Sequence, residues 1–270
     1  MPELPEVETT RRGIEPHILN RTVTGVEIRQ PKLRWPIPPQ LADRLTGQTL
    51  RAVRRRAKYL LLESDAGTLI LHLGMSGSLR ILPPETPALY HDHFDLQFEH
   101  CCLRLRDPRR FGAVLWSEEP AEQHPLLRAL GPEPLEEAFN GDYLYRQAQK
   151  RRGPVKNLVM DGHVVVGVGN IYASESLYRA RIHPNRPANR ISAGRYRRLG
   201  DEIKAVLAAA IQQGGTTLRD FTQEDGKPGY FAQKLLVYGR TGQPCPGCGA
   251  PIRERRIGQR NSFYCSHCQR

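Results

Sequence analysis

The sequence predicts an α+β protein with several domains: an N-terminal helix joined to an antiparallel β-sandwich, a helical domain, and a C-terminal hairpin. Three observations predict this class. Short β-prone runs separated by turn residues fill residues 22–116, apolar residues at helical spacing mark 192–213, and two Cys-x2-Cys pairs lie near the C-terminus. With 270 residues, the chain is long enough for two domains and a small appendage. We expect the divisions to be 1–130, 131–238 and 239–270.

The first helix is predicted at the N-terminus, where apolar residues recur at helical spacing: Leu4, Val7, Ile14 and Ile18. Pro5 is compatible with this helix because it lies in the first turn, where a backbone N–H has no helical partner to lose.

Eight β-prone runs follow, and turn residues separate them. Phe94, Leu96 and Phe98 alternate with polar neighbours, which is the period of a strand with one buried face. This regular spacing predicts an antiparallel sandwich or barrel. The runs cover residues 22–29, 48–56, 58–64, 67–73, 76–82, 93–99, 101–106 and 112–116.

Acidic residues and prolines accumulate at 117–140, which predicts a connector between the first domain and a set of helices. The clearest helix covers 192–213, where Ser192 can cap the start and Gly214 with Gly215 ends it. A shorter helix is predicted at about 170–179, after a glycine-containing loop that can approach a ligand closely. The apolar face of the long helix consists of Tyr196, Leu199, Ile203, Val206, Leu207, Ala210 and Ile211.

The chain carries 40 lysines and arginines against 28 acids, a formal net charge of +12. This positive charge is concentrated in residues 51–58, 146–156 and 179–198, and the last range holds seven arginines and no acid. Clusters of one sign favour a polyanion partner, with nucleic acid as the first candidate. An anionic membrane surface is the alternative, but it requires a basic amphipathic helix, which none of these clusters forms.

Hydropathy argues against a membrane protein. No apolar run approaches the ~18 residues that cross a bilayer. The N-terminal stretch MPELPEVETTRR contains three acids, whereas a signal peptide needs basic and apolar regions. We therefore expect a cytosolic protein.

The C-terminal cysteines predict a metal site. Two Cys-x2-Cys pairs lie sixteen residues apart: Cys245 with Cys248, and Cys265 with Cys268. Tetrahedral Zn2+ takes four thiolates, so we expect one structural zinc ion in a closed site with a hairpin over 252–264 between the pairs. Two disulfides are the alternative, but they require an oxidising compartment. Cys101 and Cys102 are expected to pack in the interior rather than to act chemically.

Pro2 is the second candidate site. Processing that removes Met1 would leave Pro2 with a free secondary amine beside Glu3 and Glu6. Such an amine can attack an electrophilic sugar carbon and form an iminium. From these residues alone, the alternative is an ordinary helix start, where proline and glutamate are common in the first turn.

Taken together, the motifs resemble those of the bacterial formamidopyrimidine-DNA glycosylases, which excise oxidised purines from DNA and nick the strand. The resemblance spans essentially the whole chain, with eight motifs in family order. It implies a helix-two-turn-helix domain after the sandwich, a zinc-finger hairpin at the end, and a monomer that acts on damaged double-stranded DNA. The motifs are PELPEVET at 2–9, RRAKYLLLE at 55–63, HLGMSGSLR at 72–80, DPRRFG at 107–112, VVGVGNIYASESL at 165–177, GGTTLRDF at 214–221, DGKPGYF at 225–231, and the Cys-x2-Cys pairs enclosing QR at 259–260.

The resemblance implies four catalytic residues and no small-molecule cofactor. Pro2 is the family's nucleophile, which attacks C1′ of the damaged nucleotide, and Glu3 matches the general acid/base. Lys58 matches the lysine of the lyase steps, and Arg260 matches a phosphate-binding arginine assigned to the second elimination. Elimination of both phosphates leaves a one-nucleotide gap. Glu6 either assists Glu3 or compensates the helix dipole.

The resemblance also implies DNA contacts. Met75 and Phe111 match apolar wedges that fill the space of an everted nucleotide, and Arg110 matches the residue that bonds the orphaned cytosine. Without the resemblance, Met75 and Phe111 would be interpreted as core residues. The segment 216–230 resembles a loop that closes over the everted base. The other implied contacts are His72, which can equally be a structural histidine, with His91, Arg151, Lys156 and Asn170.

Two other functions remain as alternatives. The related endonuclease VIII type prefers oxidised pyrimidines, but Leu4 and the set of Met75, Arg110 and Phe111 favour the purine-directed group. A non-catalytic DNA-binding protein built around a zinc hairpin would explain the basic clusters alone. A zinc-dependent hydrolase is disfavoured, because four cysteines leave no open coordination position.

Overall fold

The computed structural model describes residues 2–214 and 235–270. The described residues divide into two compact units, with 2–128 forming unit 1 and 129–213 together with 235–270 forming unit 2. Among these residues, none of the helices has the length and apolar character needed to cross a membrane. The segment 216–230, which resembles a base-covering loop, lies outside the described residues.

Unit 1 begins with helix α1 (Leu4–Ile18). The helix starts where the sequence predicts it, since Glu3 is its N-cap residue and Pro5 lies in its first turn. The four apolar positions that predict this helix, from Leu4 to Ile18, are all at most 1% exposed. The amphipathic interpretation of this segment is therefore confirmed.

Two four-stranded antiparallel sheets follow α1. Each of the eight strands lies on one of the β-prone runs, so the predicted sandwich is confirmed. The structure adds a short helix, α2 (Leu41–Leu45), that the sequence did not predict. The first sheet has the order β1 (Val23–Ile28), β6 (Asp92–Phe98), β7 (Cys102–Arg106), β5 (Ser78–Leu82), and the second has the order β2 (Ala52–Arg56), β3 (Tyr59–Ser64), β4 (Gly67–His72), β8 (Ala113–Ser117).

The two sheets and α1 enclose one hydrophobic core. Both sheets contribute fully buried side chains to it, such as Phe94 and Leu96 from β6 and Leu60 and Leu71 from β3 and β4. Helix α1 contacts β2, β3 and β5. The N-terminus of the chain is therefore held against the hairpin formed by β2 and β3.

Unit 2 contains four helices: α3 (Gly141–Ala148), α4 (Val155–Met160), α5 (Asn170–Arg179) and α6 (Ala193–Gln212). Helix α6 packs against α3 and α5, and every residue of its predicted apolar face is buried. Helices α3 and α6 cross closely at two glycines, because a Cβ on Gly141 would lie 2.1 Å from Cα of Arg197. Gly200 faces Gly141 at the same crossing.

A two-stranded hairpin, β9 (Arg253–Ile257) and β10 (Arg260–Tyr264), lies where the sequence predicts it. Its two-residue turn begins with Gly258, which has a φ of +61° and therefore favours glycine. The apolar cluster below the hairpin is small, and its buried members are Val237, Cys245, Ile252 and Cys265. So small a cluster needs an additional crosslink to define one structure.

Candidate functional site

The start of α1 places Pro2 and Glu3 in a buried position. Pro2 is buried, and Glu3 and Glu6 are each 2% exposed. The Glu6 carboxylate accepts a 2.8 Å hydrogen bond from the backbone N–H of Glu3, the reciprocal bond of a capping box. Glu6 therefore fixes the backbone next to Pro2, which is a positioning function for this carboxylate.

Lys58 lies in the two-residue turn between β2 and β3, beside Ala57, whose φ is +55°. The Arg55 guanidinium donates to the Ala57 carbonyl at 2.9 Å and also to Glu8 of α1 at 3.2 Å. Burial opposes ionisation of Glu8, but hydrogen bonds from Arg11 and Arg12 and the charge of Arg55 lower its pKa overall. A charged network thus links α1 to the turn that carries Lys58.

His72 lies at the end of β4, paired with Tyr59 across the strands, and the two rings are 4.8 Å apart. Its Nδ1 accepts a 3.0 Å hydrogen bond from the backbone N–H of Gly74. Burial, with added repulsion from Lys58 and Arg34, lowers the pKa of His72 to about 4. At neutral pH the ring is therefore uncharged, with its proton on Nε2.

Asp107 joins the two loops that carry the three predicted insertion residues. Its carboxylate accepts hydrogen bonds from the Ser76 hydroxyl at 3.0 Å and from the backbone N–H of Gly112 at 2.7 Å. Asp107 is completely buried. Met75 precedes Ser76, and Arg110 and Phe111 precede Gly112, so this one carboxylate brings all three side chains to the same region of unit 1.

Gly74 lets these two loops approach each other. Its φ is +63°, and a Cβ there would lie 2.4 Å from the carbonyl carbon of Phe111. Arg110 itself has a φ of +56°, a costly conformation for a non-glycine residue. Phe111 is 45% exposed with the Arg109 guanidinium 5.2 Å from its ring, so the alternative that Phe111 fills the core is wrong. Met75 is half-buried.

His91 lies just before β6, half-buried, with its ring 4.8 Å from that of Tyr90. Its Nδ1 is buried and has no hydrogen-bond partner among the described residues. The backbone carbonyl of His91 accepts from the N–H of Asp107 at 3.0 Å. The same aspartate therefore anchors His91 and the insertion loops.

In unit 2, Lys156 and Asn170 are in direct contact. Lys156 is 0% exposed, and its ammonium donates to Asn170 Oδ1, to the Asn261 carbonyl and to the Ser262 hydroxyl. Asn170 in turn donates to the Asn261 carbonyl at 3.0 Å. Lys156 thus ties α4, the first residue of α5 and strand β10 together, and it holds the Asn170 amide at the positive end of the α5 dipole.

Arg260 is exposed at the start of β10, next to the residues that Lys156 holds. The preceding turn packs on α4, because a Cβ on Gly258 would lie 3.2 Å from Oδ1 of Asn157. Arg151 is 44% exposed and forms a 2.7 Å ion pair with Asp161. Unit 2 therefore brings Asn170 and Arg260 to one surface, with Lys156 buried beside Asn170, whereas the charge of Arg151 is shared with the carboxylate of Asp161.

The four C-terminal cysteines form the predicted metal site. Their Sγ atoms all lie within 4.8 Å of one another, with 3.8 Å between Cys245 and Cys268 and 3.5 Å between Cys248 and Cys265. Thiolates at ~2.3 Å from one tetrahedral zinc ion would be about 3.8 Å apart. The donor set and its spacing fit one structural zinc ion that closes the hairpin over its small core.

Several residues that shape these sites were not singled out from the sequence. Tyr178 of α5 places its hydroxyl 3.2 Å from Sγ of Cys245, next to the metal site. Arg55, Asp107 and Ser262 act through partners distant in sequence, and only the surrounding motifs could have indicated them. Cys101 and Cys102 are 3% and 1% exposed, which confirms that they pack in the interior.

Three family models match successive ranges of the chain. Residues 1–114 match the formamidopyrimidine-DNA glycosylase N-terminal domain, and residues 130–222 match the formamidopyrimidine-DNA glycosylase H2TH domain. Residues 242–270 match the zinc finger found in FPG and IleRS.

Curated relatives match over the full length. The formamidopyrimidine-DNA glycosylase of Methylococcus capsulatus is 62% identical over 271 residues, and that of Stenotrophomonas maltophilia is 60% identical over 272 residues. In both cases the match covers 100% of each chain.

Solved structures agree with these matches. The Fpg (MutM) protein of Thermus thermophilus is 40% identical with a TM-score of 0.89, covering 99% of this chain and 98% of that one. The Lactococcus lactis Fpg in complex with abasic-site DNA is 34% identical with a TM-score of 0.92, covering 99% of both chains. Sequence, fold and the four-cysteine site agree, and this chain belongs to the formamidopyrimidine-DNA glycosylase family.

Proposed function

We propose that this protein is a bifunctional DNA glycosylase and AP lyase of base excision repair, which excises oxidised purines such as 8-oxoguanine opposite cytosine. The observation that carries the proposal is the buried Pro2–Glu3 start of α1, linked through Glu8 and Arg55 to the Lys58 turn. A Lactococcus lactis relative has been solved in complex with Fapy-dG DNA, which supports an oxidised purine as the substrate.

In the proposed reaction, Pro2 with Met1 removed uses its nitrogen lone pair to attack C1′ of the damaged nucleotide. The glycosidic bond breaks, its electron pair leaves with the base, and Glu3 exchanges protons with the sugar as general acid and base. Loss of the Pro2 N–H proton leaves a neutral N-glycoside at C1′. The C1′–O4′ bond then breaks, O4′ takes a proton from Glu3, and the nitrogen lone pair forms the C=N bond of an iminium ion between protein and sugar. An α-amino pKa near ~8 leaves a usable neutral fraction of the amine at pH 7.

The iminium ion acidifies the proton on C2′. When that proton is removed, its electron pair forms a C2′=C3′ bond, and the C3′–O bond breaks to expel the 3′ phosphate. A second elimination expels the 5′ phosphate, so the strand is left with a one-nucleotide gap. Lys58 serves these lyase steps, and Arg260 holds a phosphate with its planar fork of donors. Water then releases the sugar fragment from Pro2.

Access to C1′ requires the damaged nucleotide to leave the helix, which costs a few kcal/mol of stacking and pairing. In the proposal, Met75 and Phe111 fill the vacated space, and Arg110 bonds the orphaned cytosine. The exposure of Phe111 and the common anchor of both loops on Asp107 support this assignment. His72 acts as a neutral donor through Nε2.

The DNA backbone contacts are assigned to both units. His91 in unit 1 presents a ring next to the exposed Tyr90, and Asn170 and Arg260 in unit 2 face solvent near the start of α5. Lys156 is buried, so we assign it to orienting Asn170. In the proposal, a DNA phosphate displaces the Asp161 carboxylate from the Arg151 guanidinium, and Arg151 then contacts that phosphate.

The proposal includes a three-domain organisation at 1–130, 131–238 and 239–270, a monomer, and a cytoplasmic location. The family-model ranges support the domain limits. A reducing compartment suits the four cysteines, because zinc binds them as thiolates rather than as disulfides.

The substrate class is tested by product analysis. Duplexes containing 8-oxoguanine opposite cytosine, or thymine glycol opposite adenine, are incubated with the parent protein and with Pro2→Gly. We expect base release and a one-nucleotide gap on the 8-oxoguanine duplex, loss of both with Pro2→Gly, and little change in DNA affinity. Faster processing of thymine glycol would indicate the endonuclease VIII type, and binding without any cleavage by the parent would indicate a non-catalytic DNA-binding protein.

A further inference from the structure

The arginine run at 179–198 has no role in the proposed reaction. In unit 1, at least eight of the sixteen arginines have a carboxylate within ion-pair distance: Arg11, Arg12, Arg29, Arg44, Arg51, Arg54, Arg55 and Arg104. Of the seven arginines at 179–198, only Arg197 has such a partner among the described residues, Asp142 at 2.8 Å. The other six have no carboxylate within ion-pair distance in the described part of the chain, although the charge of Arg179 acts on the buried Glu175 carboxyl. We call these six the arginine face: Arg179, Arg181, Arg186, Arg190, Arg195 and Arg198.

These six residues adjoin one another in space. Arg198 donates to the carbonyl of Arg179 at 2.9 Å, and Arg195 donates to the carbonyl of Arg181 at 2.8 Å. Arg186 donates to the carbonyl of Arg190 at 3.4 Å. Burial, together with the charges of Arg186 and Arg198, lowers the pKa of Arg195, which shows that like charges are crowded here.

Three residues of the arginine face line one cleft. Arg179, Arg181 and Arg198 line an open cavity of about 370 Å³ beside the C-terminal end of α5, with Glu202 as the one acid in its lining. No arginine of the cleft forms an ion pair with Glu202 in the described structure. Nε of Arg179 is buried and has no hydrogen-bond partner among the described residues. The cleft therefore offers donors and charge that an anion would satisfy.

The arginine face lies at the opposite end of α5 from the proposed lesion-strand contact. Asn170 is the first residue of α5 and Arg179 is its last. Nine residues at a rise of 1.5 Å place the two ends about 13 Å apart. A helix that binds a phosphate with its N-terminus points its C-terminus away from that phosphate, so the phosphate held at the start of α5 does not account for these arginines.

We propose that the arginine face binds the phosphate backbone of a second DNA duplex while the lesion duplex is bound at the active site. Guanidinium forks match phosphate geometry, and arginines that neutralise backbone phosphates bind duplex DNA independently of its sequence. Holding two segments would let the enzyme pass from one duplex to another without full release. This inference rests on the proposed function, since it takes the N-terminal end of α5 as the lesion-strand site.

The test uses the full-length, zinc-loaded protein saturated with a short unlabelled duplex that contains a non-cleavable abasic analogue. A fluorescent undamaged duplex is then titrated, and its anisotropy reports second-duplex binding. The variant Arg181→Gln/Arg190→Gln/Arg198→Gln removes three charges from the arginine face. Two controls are matched to it: the same three positions changed to Lys, and the ion-paired unit 1 positions Arg44, Arg51 and Arg54 changed to Gln.

We expect the saturated parent to bind the second duplex, and the arginine-face Gln variant to bind it at least tenfold more weakly. The slope of log K against log salt should fall by about 2 to 3, since each lost phosphate contact contributes about 0.9. The Lys variant should retain most of the affinity, and the unit 1 control, which has the same net charge as the Gln variant, should change less than threefold.

Three results would overturn the inference. The first is that the saturated parent fails to bind a second duplex. The second is that the arginine-face Gln variant and the unit 1 Gln control weaken second-duplex binding equally. The third is that the arginine-face Gln variant weakens only the binding of a longer lesion duplex, which would place these arginines against the flank of that duplex. Cleavage of 8-oxoguanine DNA is followed in parallel for every protein. Absence of cleavage by the parent counts against the proposed function, whereas retained cleavage with lost second-duplex binding supports the arginine face.

Discussion

Lys156 shows how a basic residue can serve a DNA-binding surface without reaching it. Its ammonium is surrounded by oxygens of Asn170, Asn261 and Ser262, and the side chain is completely buried. The residue type and its basic neighbourhood could be predicted from the sequence. Its burial could not, because two of the partners lie 105 and 106 residues away on the zinc hairpin.

The cost of losing this side chain is measurable. Lys156→Met keeps the aliphatic chain but removes the three hydrogen bonds of the ammonium, so that Asn170 Oδ1 and the buried Ser262 hydroxyl lose this donor. We therefore expect the free energy of unfolding to fall by about 2–4 kcal/mol. Urea titration followed by circular dichroism measures it. Lys150→Met is the matched control, because Lys150 is exposed. Equal stability of the two variants would contradict the role of Lys156 as a buried link.

The protonation state of His72 is a second residue-scale consequence. A histidine in an unfolded chain titrates near pH 6.5, whereas burial and the charges of Lys58 and Arg34 hold the pKa of folded His72 at about 4. The unfolded state therefore binds more protons between these values. The stability contributed by the neutral ring is complete above pH 6.5 and declines as pH falls from 6.5 towards 4.

Two measurements check this. The ring signals of His72 in an NMR titration should not move between pH 8 and 5. In thermal unfolding, His72→Gln should lose less stability than the parent as the pH falls from 6.5 to 4. Burial also lowers the pKa values of His93 and His183, but both proteins contain these two histidines, so the difference between the proteins reports His72. A titration midpoint for His72 near 6.5 would contradict the buried, neutral ring.

At the scale of elements, the spacing of apolar residues was sufficient to predict those strands and helices that bury one face. All eight strands of the sandwich and helices α1, α5 and α6 lie where the sequence predicts them. Helices α2 and α3 were not predicted individually, because they are short, and only their packing against longer elements stabilises them.

The geometry of the two loops that carry Met75, Arg110 and Phe111 could not be predicted from the sequence, for a different reason. The Asp107 carboxylate bonds Ser76, 31 residues earlier, and no local pattern reports that contact. Gly74 has a positive φ, which a glycine in a loop indicates only in general terms. The motifs predicted the insertion residues Met75, Arg110 and Phe111, and the fold was needed to show that one buried carboxylate holds their two loops together.

The zinc hairpin is the element most dependent on a single interaction. Cys248→Ser removes one of four ligands from a segment with a very small core, so we expect loss of the metal, disorder of the hairpin that carries Arg260, and at least a tenfold loss of DNA affinity. Zinc content by atomic emission and affinity by anisotropy measure this. The matched control is His267→Gln, an exposed position between two ligands. Full DNA affinity in a zinc-free Cys248→Ser protein would refute the dependence.

At the scale of the whole molecule, the distribution of charge is more informative about binding partners than the net charge is. The net charge of +12 predicted a polyanion partner. In unit 1, at least eight of the sixteen arginines form ion pairs, whereas in the run at 179–198 six of seven form none among the described residues. Ion pairing depends on contacts between distant segments, so the sequence located the clusters but could not separate paired charges from unpaired ones.

Family membership is also a property of the whole chain, because the order of eight motifs along the sequence indicated the family and no single residue did. Pro2 taken alone is an ordinary helix start, and only its place in that order predicts a nucleophile. The structure adds the buried setting of Pro2 and Glu3 and the network from Glu8 to the Lys58 turn.

The central claim, that Pro2 forms an imine with the sugar of an oxidised purine nucleotide, is tested most directly by borohydride trapping. The protein is mixed with an 8-oxoguanine:cytosine duplex in the presence of borohydride, digested, and examined by mass spectrometry, after intact mass has verified removal of Met1. We predict a covalent adduct on the N-terminal peptide at Pro2, absent from Pro2→Gly. An adduct on a lysine peptide instead, or no adduct with a processed N-terminus, would contradict the assignment of Pro2 as the nucleophile.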